Sequence, residues 1–321
     1  MTRPFRFAVQ AYATESASAW RETARSAEAL GYSTLHLADH YIGPGPALAA
    51  TNHPVQSIAA VPAMAVAAEA TTTLRVGCRV FCVDYHEPVV LAKELMTLDL
   101  LSEGRIEAGL GAGWLAGEYE AMGIPFAPAG VRIERLEAVV DLLRQSAGAD
   151  EVKLDQGGVF AQGFEAVPKP FQPGGPPIMI GGGSPRVLRL AGAKADIVSF
   201  NFDNSSGRVG ADGVGSSTAE QTAAKVQWVR EGAGERFEHL ELEIGAYFVA
   251  VTDDPDAALR RLSALFALPA GELATHPHVL VGPVGAICDE LARRRDEYGI
   301  SYVTVGASVA ADFAPVVARL G

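Results

Sequence analysis

Short β-branched runs alternate with longer helical stretches along almost the whole chain, and this alternation constrains the fold more than any other feature. A strand followed by a helix, repeated, builds a parallel sheet with helices on its outside. Hydrophobic periodicity and turn residues place strands over residues 5–10, 33–38, 74–83, 106–110, 177–180, 196–201, 243–251 and 302–305. Helices fall between them at 16–30, 56–70, 88–102, 130–145, 185–193, 218–232, 255–266 and 283–298. The boundaries carry ordinary signals: Ser16 as an N-cap, Gly31 just past a helix end, Pro88 in a first turn, Gly104 beyond its last. The rhythm breaks only at 146–176, where Gly157–Gly158, Pro168, Pro170 and Pro173 predict a small hairpin insertion.

About eight strands and eight helices in β-then-α order read as one α/β domain over residues 1–321, a (β/α)8 barrel with an insertion around 146–176. A doubly wound open sheet is the alternative, but no midpoint reverses the strand order. The chain has 321 residues, 49% of them hydrophobic and 20% charged, enough for a large core. Its net charge of −12 argues against nucleic acid, which needs a basic footprint. The first residues show no signal peptide, and no stretch reads as a membrane span. Cys78, Cys82 and Cys288 are an odd, sparse set that reads as reduced thiols in the cytoplasm.

In such a barrel, chemistry gathers at the C-terminal ends of the strands. That rule selects Gln10, Asp39, His40, the segment after Val80, Gly111 to Trp114, Gly181 to Ser184, and Asn201. The strongest local signal is PPIMIGGGSPR at 176–186. A strand runs into three glycines, then Ser184 at an N-cap and Pro185 in a first turn. Such a helix start offers unpaired N–H groups to a phosphate, and Arg186 could add a charge. The plainer reading is a tight connecting turn. His40, at the rim, is of the residue type best suited to a general acid or base near neutral pH, though many rim histidines are structural. Gly109, Gly111 and Gly113 permit close approach of a planar ligand, or close packing inside the barrel. Cys78, Cys82, Asp84 and His86 fail as a metal set, because i and i+4 lie about 13 Å apart along a strand. His276 and His278 read as an exposed loop pair. Arg105 belongs to the opposite face, with Asp99 as a possible partner.

Three segments resemble the luciferase-like oxidoreductases, specifically the coenzyme F420-dependent branch: AEALGYSTLHLADH at 27–40, PVVLAKELMTLDLLSEGRIEAGLGAGW at 88–114 and IMIGGG at 178–183. The resemblance implies a barrel, usually a homodimer, with the tricyclic cofactor ring at the mouth. It implies a bulge near Arg79–Val80–Phe81, often with a non-proline cis peptide, behind the ring. It assigns Asp39, Arg79, Val80, Cys82, Gly113, Gly181, Gly182, Gly183 and Ser184 to the cofactor, the last four to its phosphate. His40 becomes the group that handles the substrate proton, and Gln10, Trp114, Asn201 and Phe202 shape the substrate site. No metal is expected. Two positions depart from the family. Trp114 stands where sugar-phosphate oxidising members carry a catalytic Glu, and Gly117 where an Asn often meets the ring.

The implied function is hydride transfer between deazaflavin coenzyme F420 and a small organic substrate. Alternatives are an FMN-dependent monooxygenase using molecular oxygen, and a non-catalytic flavin-binding barrel. Loops at 42–55 and 201–217 would border the substrate, with 207–217 as a lid.

Overall fold

The alternation closes on itself. In the computed structural model, which describes residues 3–51, 53–208 and 210–321, eight parallel strands form the barrel. They are β1 (Arg6–Gln10), β2 (Thr34–Leu37), β3 (Arg75–Cys78), β4 (Ile106–Gly111), β5 (Ile178–Gly182), β6 (Ile197–Phe200), β7 (Glu241–Ala246) and β8 (Ile300–Gly306). β1 pairs with both β2 and β8, and β3 meets β4 through Val76–Ile106 and Gly77–Glu107. The ring therefore has no edge strand, which rules out the open sheet. Two residues continue β3: Phe81 and Cys82 pair with Leu110 and Gly111 after a cis Arg79–Val80 peptide, at the place the family likeness implies. The insertion is an antiparallel hairpin, Val152–Gln156 against Val159–Phe164.

Several elements differ from expectation. The run at 243–251 is two strands: β7 ends at Ala246, and Phe248–Val251 leaves the barrel to pair in parallel with Val279–Gly282. Short helices at Ala116–Met122 and Ala211–Gly215, and a final helix at Ala310–Leu320, add to the repeat. The expected loops at 42–55 and 207–217 include residues 52 and 209, which lie outside the described residues. No helix among the described residues is long and apolar enough to cross a membrane.

Alternation along each strand divides the molecule into two interiors. Phe7, Val9, Leu35, Leu37 and Val76 face the helices and join the main apolar core. The lumen holds Ala8, Met179, Ile197 and Tyr302, but also charge. Glu107, 1% exposed, takes hydrogen bonds from Arg6 and from the Tyr302 hydroxyl at 3.0 Å, with His36 Nε2 at 3.3 Å and Arg75 Nε at 3.1 Å. One layer nearer the mouth, Glu243 accepts from Thr304 Oγ1 at 2.6 Å and from Arg79 Nε at 2.9 Å. Glycine at 109 has a packing cause: a Cβ there would stand 2.0 Å from the Cys78 carbonyl oxygen.

Candidate active site at the mouth of the barrel

The strand ends surround a cavity of about 820 Å³, and every residue assigned from the sequence to the cofactor, the substrate or the proton step lines it. Gln10, Asp39, His40, Arg79, Val80, Cys82, Gly113, Trp114, Gly181 to Ser184, Asn201 and Phe202 all face this one space.

His40 follows β2 with its Nδ1 2.6 Å from Oε2 of Glu118. Glu118, on the helix Ala116–Met122, is fully buried. Its Oε1 accepts the backbone N–H groups of Tyr41 and Ile42, the latter at 3.3 Å, and its Oε2 the Tyr85 hydroxyl at 3.1 Å. Burial opposes its ionisation, but the bonds from His40 and the two backbone amides hold its carboxyl below the usual range. The carboxylate can only accept, so His40 donates from Nδ1, and in the neutral imidazole the lone pair then sits on Nε2.

His53 lies against His40 with ring centroids 4.1 Å apart, and Trp114 meets both rings edge-on. His53 Nδ1 donates to the Pro54 carbonyl at 3.0 Å. Burial, then the neighbouring His40, pushes its pKa down to about 4, so it is neutral across the physiological range. Two imidazoles and an indole form an aromatic corner.

Asp39 is 3% exposed and bridges the broken strand: Oδ2 accepts the Cys82 N–H at 2.9 Å and His86 Nε2 at 2.8 Å. Its Oδ1 is buried with no hydrogen-bond partner among the described residues. The Cys82 thiol, 3.1 Å from the Tyr119 hydroxyl, is pushed up to about 12 by burial and is no nucleophile at neutral pH. Gln10 Nε2 donates to the Arg79 carbonyl at 3.1 Å.

The glycine turn needs a revised account. A Cβ at Gly182 would meet Val187 at 2.4 Å, and one at Gly183 the Phe202 carbonyl oxygen at 2.3 Å. Packing therefore explains these glycines. What remains for an anion is the start of the helix Pro185–Lys194, where Ser184 sits at the N-cap without a side-chain hydrogen bond. Arg186 contributes nothing there, since its guanidinium pairs with Glu134 at 2.9 Å on the outer surface. Gly113 also has a steric cause: its φ is +74°, and a Cβ would strike the Tyr119 hydroxyl at 1.9 Å.

Two further readings are corrected. His276 and His278 are 0% and 1% exposed, not an exposed pair. His276 Nε2 donates to the Val214 carbonyl and His278 Nδ1 to that of Gly245, while the buried Arg294 caps the carbonyls of His276, Pro277 and Val279. Asp99 pairs not with Arg105 but with Gln172, whose backbone N–H and side-chain amide it accepts, while Arg105 caps the Ala68, Leu74 and Ser102 carbonyls.

Sequence reasoning missed Glu118, His53, Arg132 and Tyr247. Arg132 spans the loop after β4 by donating to the Ala112, Gly113 and Ala127 carbonyls. The available signal for Glu118 was an acidic residue just beyond the glycine-rich end of β4.

Comparisons with known proteins agree with this geometry. A family model described as luciferase-like monooxygenase matches residues 1–299. An F420-dependent glucose-6-phosphate dehydrogenase of Amycolatopsis mediterranei is 28% identical over 54% of this chain and 50% of its own length. An FMNH2-dependent dimethylsulfone monooxygenase of Pseudomonas fluorescens is 26% identical over 53% of this chain and 43% of its own length. The chain thus aligns with half or less of each of these relatives. Among solved structures, an F420-dependent secondary alcohol dehydrogenase bound to an F420–acetone adduct superposes with a TM-score of 0.77 at 17% identity, over 99% of this chain and 100% of the other.

Proposed function

Since the chain belongs to the luciferase-like monooxygenase family of oxidoreductases, we propose that it transfers a hydride between deazaflavin coenzyme F420 and a small neutral substrate, with His40 taking or giving the substrate proton. The observation that carries this reading is the His40–Glu118 pair at 2.6 Å, with His40 on the cavity wall. The bound deazaflavin would supply the hydride acceptor or donor. The chain's own residues do the rest. Glu118 keeps the proton on Nδ1, so neutral His40 accepts at Nε2 when a hydroxyl is oxidised, and the imidazolium that forms is stabilised by the same carboxylate. In the reverse direction that imidazolium returns the proton.

The residues fit a tricyclic cofactor with a phosphate arm. The buried, unpartnered Asp39 Oδ1 can accept from a ring N–H. The uncapped start of Pro185–Lys194 can take the phosphate. The Arg79 guanidinium is charge-paired with Glu243, although its Nη2 has no hydrogen-bond partner among the described residues, and Arg132 donates to backbone carbonyls. This favours an uncharged substrate, as does Trp114 in place of an acid.

The second reading is an FMN-dependent monooxygenase, favoured by the resemblance to the Pseudomonas enzyme. The two chemistries part in one experiment. The protein is titrated with F420 and with FMN, and turnover is followed with a panel of neutral alcohols and ketones. Binding and turnover of F420, with His40→Ala keeping affinity but losing about 100-fold in rate, is the expected result. FMN binding with oxygen uptake and no F420 binding would overturn it. The family likeness also supports a cytoplasmic homodimer, which sedimentation analysis checks.

A further inference from the structure

A buried ion pair below the mouth connects to a side chain on its wall through hydrogen bonds of fixed direction. Arg79 and Glu243 are 3% and 0% exposed, with Nε 2.9 Å from Oε1. A guanidinium only donates, so Arg79 Nη1, 3.0 Å from the Tyr247 oxygen, gives its proton to that oxygen. The Tyr247 hydrogen must then go elsewhere, and it goes to Oδ1 of Asn201 at 3.0 Å. The Phe202 N–H donates to the same Oδ1 at 2.8 Å. Flipping the Asn201 amide would set its NH2 against the Phe202 N–H, a donor that cannot turn away, so the orientation is fixed. The Tyr247 ring is itself held flat on His278, with centroids 5.2 Å apart and planes 12° apart.

We infer that Arg79 and Tyr247 are positioning residues that hold the Asn201 amide with its NH2 toward the cavity, as a donor to an oxygen of the ribityl-phosphate arm shared by flavins and deazaflavins. Asn201 belongs with that arm, not with the substrate, because it abuts the glycine turn. Its backbone N–H donates to the Gly182 carbonyl at 3.0 Å, and its own carbonyl oxygen stands 2.6 Å from the place a Gly183 Cβ would take. The inference rests on the cofactor reading above and adds to it the group that recognises the arm and the pair that aims it.

The test is equilibrium titration of FMN, F420 and riboflavin onto the wild-type protein, Tyr247→Phe, Asn201→Asp and the double variant. Aspartate still accepts from Phe202 and Tyr247, so the local fold is kept while the free donor becomes an acceptor. Asn201→Asp is expected to weaken the cofactor the wild type binds by about tenfold, and Tyr247→Phe by about fivefold. Tyr247 acts through Asn201, so the double variant should bind no worse than Asn201→Asp alone. A loss that persists with riboflavin assigns a ribityl oxygen; one that vanishes assigns the phosphate. Gly245→Ala is a second probe, since its Cβ would press on Arg79 Nη2 at 2.8 Å and on the Tyr247 ring at 3.0 Å without removing any polar group. It should weaken the same cofactor. Affinities within twofold of wild type in both single variants, or losses that multiply in the double, would overturn the inference. A wild-type protein that binds none of the three ligands would instead sink the cofactor reading on which it depends.

Discussion

At the scale of single residues, what distinguishes this mouth is how the protonation of its histidines is controlled by their partners. In the proposed reaction His40 would serve as the base because Glu118, 78 positions away, accepts from Nδ1. Glu118→Gln separates charge from shape. The glutamine oxygen can still accept from the Tyr41 and Ile42 amides, but its NH2 then faces Nδ1, forcing the His40 proton onto Nε2. The expected outcome is a loss of about 100-fold in kcat for oxidation of a hydroxyl, with cofactor affinity unchanged. Stopped-flow rates beside a binding titration check this, and a kcat within twofold of wild type would remove Glu118 from the mechanism.

At the scale of elements, one buried cation ties Asn201, just past the end of β6, to Ser217. Lys225, on the helix Ala219–Ala233, is 1% exposed and donates to the Asn201 carbonyl at 2.7 Å and to Ser217 Oγ at 2.5 Å. Burial lowers its pKa from 10.5 to about 8, against the opposing charge of Asp203. The sign follows by linkage. Between about pH 8 and 10.5 the unfolded chain binds more protons at this lysine than the folded one, so this group's contribution to stability rises with pH across that window. Below pH 8 both states are charged and its contribution is flat. In Lys225→Met the rise should disappear from urea midpoints measured at pH 8 and pH 10. Parallel pH dependence in the two proteins would contradict it.

The whole molecule depends on charge in its lumen. Glu107 sits at the centre, and although burial works against ionisation, His36, Arg6 and Arg75 hold its carboxyl well below the usual range. Its stabilisation is therefore present above the ordinary glutamate pKa and lost as pH falls through the folded value. Glu107→Gln leaves Arg6 and Arg75 without their shared partner and should cost about 3 kcal/mol at pH 7. It should also flatten the acid side of the stability curve. Chemical denaturation at pH 7 and pH 4 checks both, and a variant as stable as wild type at pH 7 would show that the ion cluster is only tolerated.

The sequence by itself determined what depends on local period and local chemistry. Strand and helix order, the hairpin at Val152–Phe164 and the strand ends that carry the site all follow from alternation, glycine and proline along short stretches. Two-residue alternation puts His36 on one face of its strand and Leu35 and Leu37 on the other, and closure of the barrel turns the His36 face inward. Where a run stayed apolar but changed sheet, as at Tyr247, periodicity carried no signal, and one expected strand became two. The partners were decided only by the tertiary structure. Glu118 with His40, Glu243 with Arg79 and Glu134 with Arg186 are separated by 78, 164 and 52 positions. Such contacts depend on where closing the barrel brings the strand ends together, and no window of sequence contains both members. That is why the place of the mouth was legible in the sequence, while the proton on His40 and the direction of Asn201 were not.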